Sequence, residues 1–178
     1  MHIFVFVMNI AIIGPESSGK SYLCTQLQAH YKGTIIPDYS RYYLATKGLK
    51  YNSSDILSMA NAHLNLFLRY KSDSLVIWDT DILNYYIWYE LKFGVKLDEL
   101  KELSNRIKPD INFLLFPSIK WEYDPMRESQ FSQEIIYTKY VEYLKLKKSV
   151  YYTFDSIGKE RLQKIRFIID YYLTLQHR

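Results

Sequence analysis

Five runs of mainly apolar residues, each about the length of a β-strand, alternate along the chain with longer amphipathic segments. Strands are predicted at Ile3–Ile13, Thr34–Pro37, Leu75–Asp79, Ile111–Phe116 and Val150–Phe154. Helices are predicted at Lys20–His30, Ser54–Tyr70, Ile82–Phe93, Leu97–Arg106, Phe131–Lys147 and Lys159–Leu175. The apolar runs are nearly continuous, which is typical of parallel strands covered on both faces. The pattern therefore predicts an α/β fold with a five-stranded parallel sheet and helices on both faces.

The last predicted helix has the clearest buried face, because Leu162, Ile165, Ile169 and Tyr172 recur at helical spacing. The 178 residues show no internal repeat, no low-complexity tract and no linker, so we expect a single domain over residues 1–178. In a parallel sheet of this kind, ligands bind beyond the carboxyl ends of the strands. The residues that follow each predicted strand are therefore the first candidates for a functional site.

The apolar N-terminus, MHIFVFVMNIAII, lacks a basic leader and a small-residue cleavage site, and it is too short to span a bilayer. We expect a buried strand here, with translation starting at Met1 or at Met8. The one cysteine, Cys24, excludes an intrachain disulfide and a cysteine zinc site, and the four histidines are scattered. These features favour a cytoplasmic protein without a membrane partner.

The formal net charge is +4, from 23 basic and 19 acidic residues. This mild excess suits an anionic small molecule. The strongest basic cluster, LKLKK around Lys145, has the spacing of a solvated helix face, and no basic arm typical of nucleic-acid binding is found. We therefore expect a small-molecule ligand and no nucleic acid, while the sequence leaves a homo-oligomer open.

Gly14, Gly19, Lys20 and Ser21 satisfy the pattern G-x-x-x-x-G-K-[ST] between the first predicted strand and the first predicted helix. Glycines let the backbone curl so that amide groups point at an anion, and the helix start adds its positive dipole end. Lys20 is expected to reach the terminal phosphates of ATP, and the Ser21 hydroxyl to bind Mg²⁺. The alternative is an ordinary Gly-Pro turn. The predicted phosphate-binding set is Gly14, Glu16, Ser17, Ser18, Gly19, Lys20, Ser21 and Tyr22.

Glu16 is an awkward residue for an anion site. Its carboxylate is expected to point away from the phosphates or to meet a substrate hydroxyl.

Two acidic residues, Asp79 and Asp81, follow the third predicted strand in the stretch SLVIWDTD. Asp79 is expected to hold Mg²⁺ through water, and its alternative role is the N-cap of the helix at Ile82. For Asp81, substrate contact and helix capping are equally open.

A third acid, Asp38, follows the second predicted strand in IIPDYSRYY. A carboxylate there would face the phosphates, where it could orient an attacking hydroxyl and accept its proton. The alternative is an N-cap for a helical segment in YSRYYLA. Arg41, one turn later, is expected to contact the substrate or to pair with a nearby acid.

The polar stretch KWEYDPMRE follows the fourth predicted strand. We expect a mobile lid over residues 118–130 that closes on the phosphates, with Arg127 stabilising the transferred charge. The alternative for Arg127 is a surface salt bridge.

Other phosphate-loop classes fit less well. The N/T-K-x-D motif of GTPases and the ABC-type signature are absent, and the chain is short for a two-part hexameric motor domain. A small kinase or a stand-alone ATP-binding switch remains.

The segments GPESSGKSYL, PDYSRYYL, WDTDILNYYIWYELKFG and WEYDPMRE, in this order, resemble the kinase half of NadR-type bifunctional proteins and related small stand-alone P-loop ATPases. The resemblance spans the chain from Asn9 to the last helix. It implies a P-loop NTPase of the nucleoside-kinase type that transfers the ATP γ-phosphate to the 5′-hydroxyl of nicotinamide riboside, giving nicotinamide mononucleotide. These 178 residues contain no H-x-G-H signature of the adenylyltransferase half, so no dinucleotide synthesis is expected here.

The resemblance implies roles for the residues already singled out. Gly14–Ser21 would bind phosphate, Asp38 would lie at the substrate hydroxyl, Asp79 and Asp81 would serve metal and substrate, and Arg127 would belong to the lid. A pyridinium ring is a flat cation that aromatic faces attract, so further substrate-binding candidates are Tyr39, Trp88, Trp121 and Tyr123. Plain packing is the alternative for each aromatic residue. Two other functions stay open: a kinase for another nucleoside or nucleotide, and an ATP-binding regulatory module without a small-molecule acceptor.

Overall fold

The computed structural model describes residues 7–119 and 132–175. Its strands are β1 (Met8–Ile13), β2 (Thr34–Ile36), β3 (Leu75–Asp79), β4 (Ile111–Leu115) and β5 (Tyr151–Phe154). Its helices are α1 (Lys20–Tyr31), α2 (Tyr39–Lys47), α3 (Ser53–Tyr70), α4 (Leu83–Phe93), α5 (Asp98–Arg106), α6 (Gln133–Leu146) and α7 (Gly158–Leu175). The predicted five-stranded α/β fold is confirmed, although residues 3–6 of the first predicted strand lie outside the described residues.

The five strands form one parallel sheet in the order β2-β3-β1-β4-β5. In the strand register, Ile12 lies beside Asp79 on one side and beside Phe113 on the other. Strand β1 is therefore central, and the residues after β1 and β3 leave the sheet side by side. The connection from β1 leads to β2 on one side of the sheet, and the connection from β3 leads to β4 on the other. This edge therefore contains the switch point where ligands bind in such folds.

Both faces of the sheet are buried, which explains why its strands are continuously apolar. Ala11 and Ile13 point into a core formed with α2 to α6, whereas Ile10 and Ile12 point into a core formed with α1 and α7. The predicted stripe on the last helix is confirmed, since Ile165 and Ile169 are fully buried. No helix among the described residues is both long enough and apolar enough to cross a lipid bilayer.

Helix α2 is not among the predicted helices, although the alternative role of Asp38 was the N-cap of a helical segment at this place. It has nine residues and buries only Ser40 and Leu44, so it has too little hydrophobic periodicity to detect. Asp38 is its N-cap and accepts a 3.1 Å hydrogen bond from the Ser40 amide. Helix α3 begins at Ser53, one residue before the prediction, because Asn52 and Asp55 form a capping box.

Candidate functional site

A cleft opens at the carboxyl edge of the sheet, where β1, β2 and β3 end. Its lining comes from the turn after β1, the starts of α1 and α2, the turn after β3, one face of α4, and single residues of the α2–α3 loop and α6. The lining residues are Gly14, Pro15, Glu16, Lys20, Ser21, Asp38, Ser40, Arg41, Leu44, Tyr51, Asp79, Thr80, Asn84, Ile87, Trp88, Leu91 and Ile136. The cleft thus lies where the sequence predicted it, beyond the strand ends.

The turn between β1 and α1 has an unusual backbone that explains its glycines. Gly14, Ser17 and Gly19 have φ angles of 139°, 54° and 88°. A Cβ atom on Gly14 would lie 2.5 Å from the Leu115 carbonyl oxygen, so only glycine fits beside β4. Residues of left-handed conformation between right-handed ones turn successive amide groups toward the same side. The turn therefore has the backbone conformation that an anion-binding concavity requires.

Side chains of the turn, of α1 and of α6 donate hydrogen bonds to the carbonyl oxygens of this turn. The Ser18 hydroxyl donates to the Pro15 carbonyl at 2.8 Å, and the Lys20 ammonium donates to the carbonyls of Gly14 and Pro15 at 2.9 and 2.6 Å. Gln133 of α6 donates to the Glu16 carbonyl at 2.6 Å. The lysine therefore lies across the mouth of the turn, where it can meet an anionic ligand.

The predicted phosphate-binding residues divide into two groups. Gly14, Glu16, Lys20 and Ser21 line the cleft. Ser17, Ser18 and Gly19 shape the turn without lining the cleft, and the Tyr22 side chain is 61% exposed.

Ser21 and Asp79 meet across the cleft floor, where the Ser21 hydroxyl hydrogen-bonds the Asp79 carboxylate. Burial raises the pKa of Asp79, while Ser21 and the Lys20 ammonium lower it. The alternative role of Asp79 as a helix cap is not observed, because the N-cap of α4 is Ile82 and no side chain caps it. A hydroxyl and a carboxylate are oxygen ligands of the kind that Mg²⁺ prefers, so the pair fits a magnesium site.

Asp81 points away from the cleft. Thr80 has a φ of 73°, which is rare for a β-branched residue, and it turns the chain between the two aspartates. Burial raises the pKa of Asp81, whereas the backbone amides of Leu83 and Asn84 lower it. Asp81 is 5% exposed and does not line the cleft. Asp81 therefore lies beside the start of α4 and not in the cleft, and this position does not favour substrate contact.

Asp38 both caps α2 and lines the cleft. One of its oxygens accepts from the Ser40 hydroxyl at 2.6 Å as well as from the Ser40 amide. The carboxylate therefore stands at the cleft wall that faces Lys20 and Asp79. Arg41, in the next position of α2, also lines the cleft.

A buried pair behind α2 supports the position of Asp38. The Tyr85 hydroxyl lies 3.1 Å from His63 Nδ1. Burial raises the pKa of Tyr85, and the nearby Ser40 amide of α2 lowers it. Burial lowers the pKa of His63 to about 4, which keeps the imidazole neutral. Helices α3 and α4 thereby hold the first turn of α2.

The far end of the cleft has an aromatic wall. The rings of Tyr51 and Trp88 pack edge to face with their centroids 5.1 Å apart. The Lys92 ammonium lies 3.6 Å from the centroid of Tyr51, a cation–π contact. Trp88 was predicted as a substrate-binding residue, and the structure places it in the cleft lining. Tyr39 packs against the core beside Tyr42 and does not line the cleft.

The predicted Trp121, Tyr123 and Arg127, and all of the predicted lid except residues 118 and 119, lie outside the described residues. Their roles stay predictions.

Sequence reasoning missed several lining residues, above all Tyr51, Thr80 and Asn84. Tyr51 lies in the α2–α3 loop and has no local signal. Asn84 lies in the first turn of α4, three residues after Asp81, and its contact with Tyr140 of α6 cannot be read from the sequence. The Tyr140 hydroxyl donates to the Asn84 side-chain oxygen at 2.8 Å and accepts from the Gly14 amide.

Three solved structures are similar to this fold. A thymidylate kinase from Ehrlichia chaffeensis has a TM-score of 0.69 at 14% identity, with 95% of this chain and 99% of that chain covered. A NadR protein in complex with NR has a TM-score of 0.75 at 16% identity, with 90% of this chain covered. This chain spans about half of that protein, 49%. A deoxyadenosine kinase from M. mycoides has a TM-score of 0.62 at 18% identity, with 92% and 99% covered.

No curated protein sequence matches the chain significantly. Residues 9–147 match the family model described as AAA domain. This range includes the turn between β1 and α1 (residues 14–19, called the phosphate turn below), the acids Asp38, Asp79 and Asp81, and the aromatic wall. The structural likeness adds the type of fold, since the five-stranded parallel sheet and its flanking helices match those of the kinases. The chain therefore belongs to the AAA domain family, and its fold is that of the P-loop nucleoside kinases.

Proposed function

We propose that this protein is an ATP-dependent kinase that phosphorylates the 5′-hydroxyl of nicotinamide riboside and releases nicotinamide mononucleotide. One observation supports this most directly: Lys20, Ser21, Asp38 and Asp79 line the same cleft as the aromatic wall. A phosphate donor and a nucleoside acceptor would thus share one enclosed space. The likeness to the NadR protein in complex with NR supports the choice of acceptor.

The residues of the cleft divide the chemistry between them. The amides of the turn and the Lys20 ammonium would bind the terminal phosphates of ATP, and Mg²⁺, held by Ser21 and Asp79, would neutralise their charge. Asp38 would orient the 5′-hydroxyl. As the hydroxyl oxygen bonds to the γ-phosphorus, the bond from that phosphorus to the β-γ bridging oxygen breaks, ADP leaves, and the hydroxyl proton passes to Asp38.

Other residues would bind the acceptor or close the site. Arg41 stands beside Asp38 and would contact the acceptor, while Trp88 and Tyr51 would take its base. Arg127 as a lid residue, and Trp121 and Tyr123 as further base contacts, remain part of the proposal. Tyr39 and Asp81, which do not line the cleft, are weaker candidates for direct contact.

One observation favours a second candidate, a kinase for a nucleoside with a neutral base. The Lys92 ammonium already occupies a site over the Tyr51 ring, 3.6 Å from its centroid. A pyridinium packed on the same wall would bring a second positive charge close to the first, which like-charge repulsion opposes. A neutral base would meet the wall without this cost.

A mass-detected assay with MgATP separates the candidates. Nicotinamide riboside, thymidine, cytidine and deoxyadenosine are each supplied as acceptor, with Lys20→Ala as the inactive control and Lys145→Ala as a matched control on the exposed face of α6. Nicotinamide mononucleotide as the main product supports the first candidate, whereas another nucleoside monophosphate supports the second. ATP hydrolysis without any phosphorylated acceptor would indicate a regulatory module instead.

Lys92→Met tests whether the Lys92 ammonium disfavours an acceptor with a positively charged base. Removal of the ammonium should raise kcat/KM for nicotinamide riboside relative to that for thymidine, because only the pyridinium is repelled. An unchanged ratio would show that Lys92 has no part in selecting the base.

A further inference from the structure

Arg161, in the first turn of α7, lies buried behind the phosphate turn. Its side chain is 3% exposed, and its Nη1 donates to the Ser18 carbonyl at 2.5 Å. Its Nε donates to the Ser156 carbonyl in the β5–α7 loop. The guanidinium thus joins the turn after β1 to the turn after β5.

This buried cation lacks a carboxylate partner within residues 7–119 and 132–175. Both of its hydrogen bonds go to neutral carbonyls, and Nη2 is buried without an acceptor in the same described part of the chain. Burial lowers the pKa of Arg161, and the exposed Asp155 is the acid that opposes this shift. A buried charge without a hydrogen-bonded counter-ion is costly. A bound anionic ligand that supplies the counter-charge would offset this cost.

The geometry of the peptide bond shows where that ligand would lie. The chain has no cis peptide bond among the described residues, so the Ser18 carbonyl and the Gly19 amide point in opposite directions. Because the carbonyl faces Arg161, the Gly19 amide faces away from it, toward the concave side of the turn. A Cβ atom on Gly19 would lie 3.6 Å from Arg161 Nη1, which places the guanidinium close behind this amide.

We infer that Arg161 is a positioning residue of the phosphate site: it orients the Gly19 amide, and its buried charge is balanced by the bound triphosphate. This inference rests on the proposed function in one respect, namely that the turn binds ATP. Binding of ATP and burial of Arg161 then stabilise each other. Acceptor binding, on the other side of the cleft, is independent of this residue.

Calorimetry with MgATP on the full chain tests the inference. Arg161→Met keeps the aliphatic length but removes the charge and the donors, and it should weaken MgATP binding by about tenfold to one-hundredfold. Lys164→Met is the matched control, since it removes the same charge from α7 at a half-exposed residue that pairs with Glu160 at 2.6 Å. It should bind MgATP within about twofold of the wild type.

Asp155→Asn keeps Arg161 intact and removes the acid that opposes the burial shift of its pKa. The effect of MgATP should therefore become larger instead of smaller. Loss of the opposing carboxylate should lower the melting temperature of the free protein and enlarge the stabilisation produced by MgATP. A purely structural role for Arg161 predicts no enlargement. In the kinase assay, Arg161→Met should raise KM for ATP and leave KM for the accepted nucleoside unchanged.

The outcomes separate the two proposals. If the wild type shows no heat with MgATP, the proposed function fails and this inference fails with it. If the wild type binds but Arg161→Met binds equally well, only the inference on Arg161 is overturned. Should Arg161→Met not fold, Asp155→Asn decides: an unchanged MgATP stabilisation overturns the inference.

Discussion

The Tyr140 hydroxyl, at 2.8 Å from the Asn84 side-chain oxygen, joins the phosphate turn to the acceptor side of the cleft. The same hydroxyl accepts from the Gly14 amide, so its one proton is free to go to Asn84. The Asn84 oxygen is thereby directed at α6, and its NH₂ group is left to face the cleft that Asn84 lines. In the proposed reaction, Asn84 would therefore donate to an oxygen of the acceptor.

Tyr140→Phe tests this link. Removal of the hydroxyl leaves the Gly14 amide and the Asn84 oxygen without their buried partner, which should lower the free energy of unfolding by about 1–3 kcal/mol. The KM for the acceptor should rise, because the Asn84 amide is no longer held. Denaturant unfolding and steady-state kinetics measure both effects, with Tyr171→Phe on the exposed side of α7 as control. A variant with wild-type stability would contradict the proposed link.

Asp38 has two roles that substitution can separate. Asp38→Asn keeps an oxygen for the Ser40 amide but cannot accept the proton, so it should bind ATP normally and lose about 10²–10⁴ in rate. Asp38→Ala loses the cap as well, and it should be less stable than Asp38→Asn by about 1 kcal/mol. Turnover rates and thermal melts of both variants are required. Normal turnover by Asp38→Asn would remove Asp38 from the catalytic residues.

Asp79 and Asp81 should respond differently to the same change. Asp79→Asn removes the carboxylate beside Ser21, so the Mg²⁺ concentration for half-maximal activity should rise severalfold. Asp81→Asn removes a buried carboxylate that lies beside the first amides of α4 and outside the cleft, so it should change thermal stability with little effect on the Mg²⁺ requirement. Magnesium titrations of the two variants make the comparison, and an equal shift in both would contradict the assignment of the metal to Asp79.

His63 predicts a pH-dependent stability. Its pKa is lowered from the ordinary 6.5 to about 4 by burial, so between these values the unfolded state binds a proton that the folded state does not. The contribution of the neutral His63 side chain to the free energy of unfolding is therefore fully present above about pH 6.5. It is lost as the pH falls toward 4, with a total on the order of 3 kcal/mol. Buried carboxylates such as Asp79 shift in the opposite sense, so the difference between variants isolates the histidine.

Urea unfolding of wild type and His63→Gln from pH 4.5 to 7.5 measures this difference. The variant should show a flatter profile over this range. His30→Gln, at an exposed histidine of α1, is the control and should keep the wild-type profile. Parallel profiles for wild type and His63→Gln would contradict the prediction.

The sheet and the phosphate turn could be predicted from the sequence because their signals are local. A buried parallel strand such as β3 must be apolar along its whole length, and an anion-binding turn needs Gly14 and Gly19 for its backbone. Helix α2 could not be predicted with the others, because it buries only Ser40 and Leu44 and so has little hydrophobic periodicity, although its cap at Asp38 is local. The same holds for Asp79 and Asp81, whose directions are set by the left-handed backbone at Thr80.

The amino-acid sequence by itself determined the α/β architecture, the position of the cleft at the strand ends and the backbone of the turn after β1, since hydrophobic periodicity and glycine conformation act over a few residues. Only the tertiary structure decided which polar groups meet. Asn84 reaches Gly14 through Tyr140, Lys92 lies on Tyr51, and Arg161 lies behind Gly19. The residues in contact are 41 to 142 positions apart in the chain, and packing of the helices on the sheet brings them together.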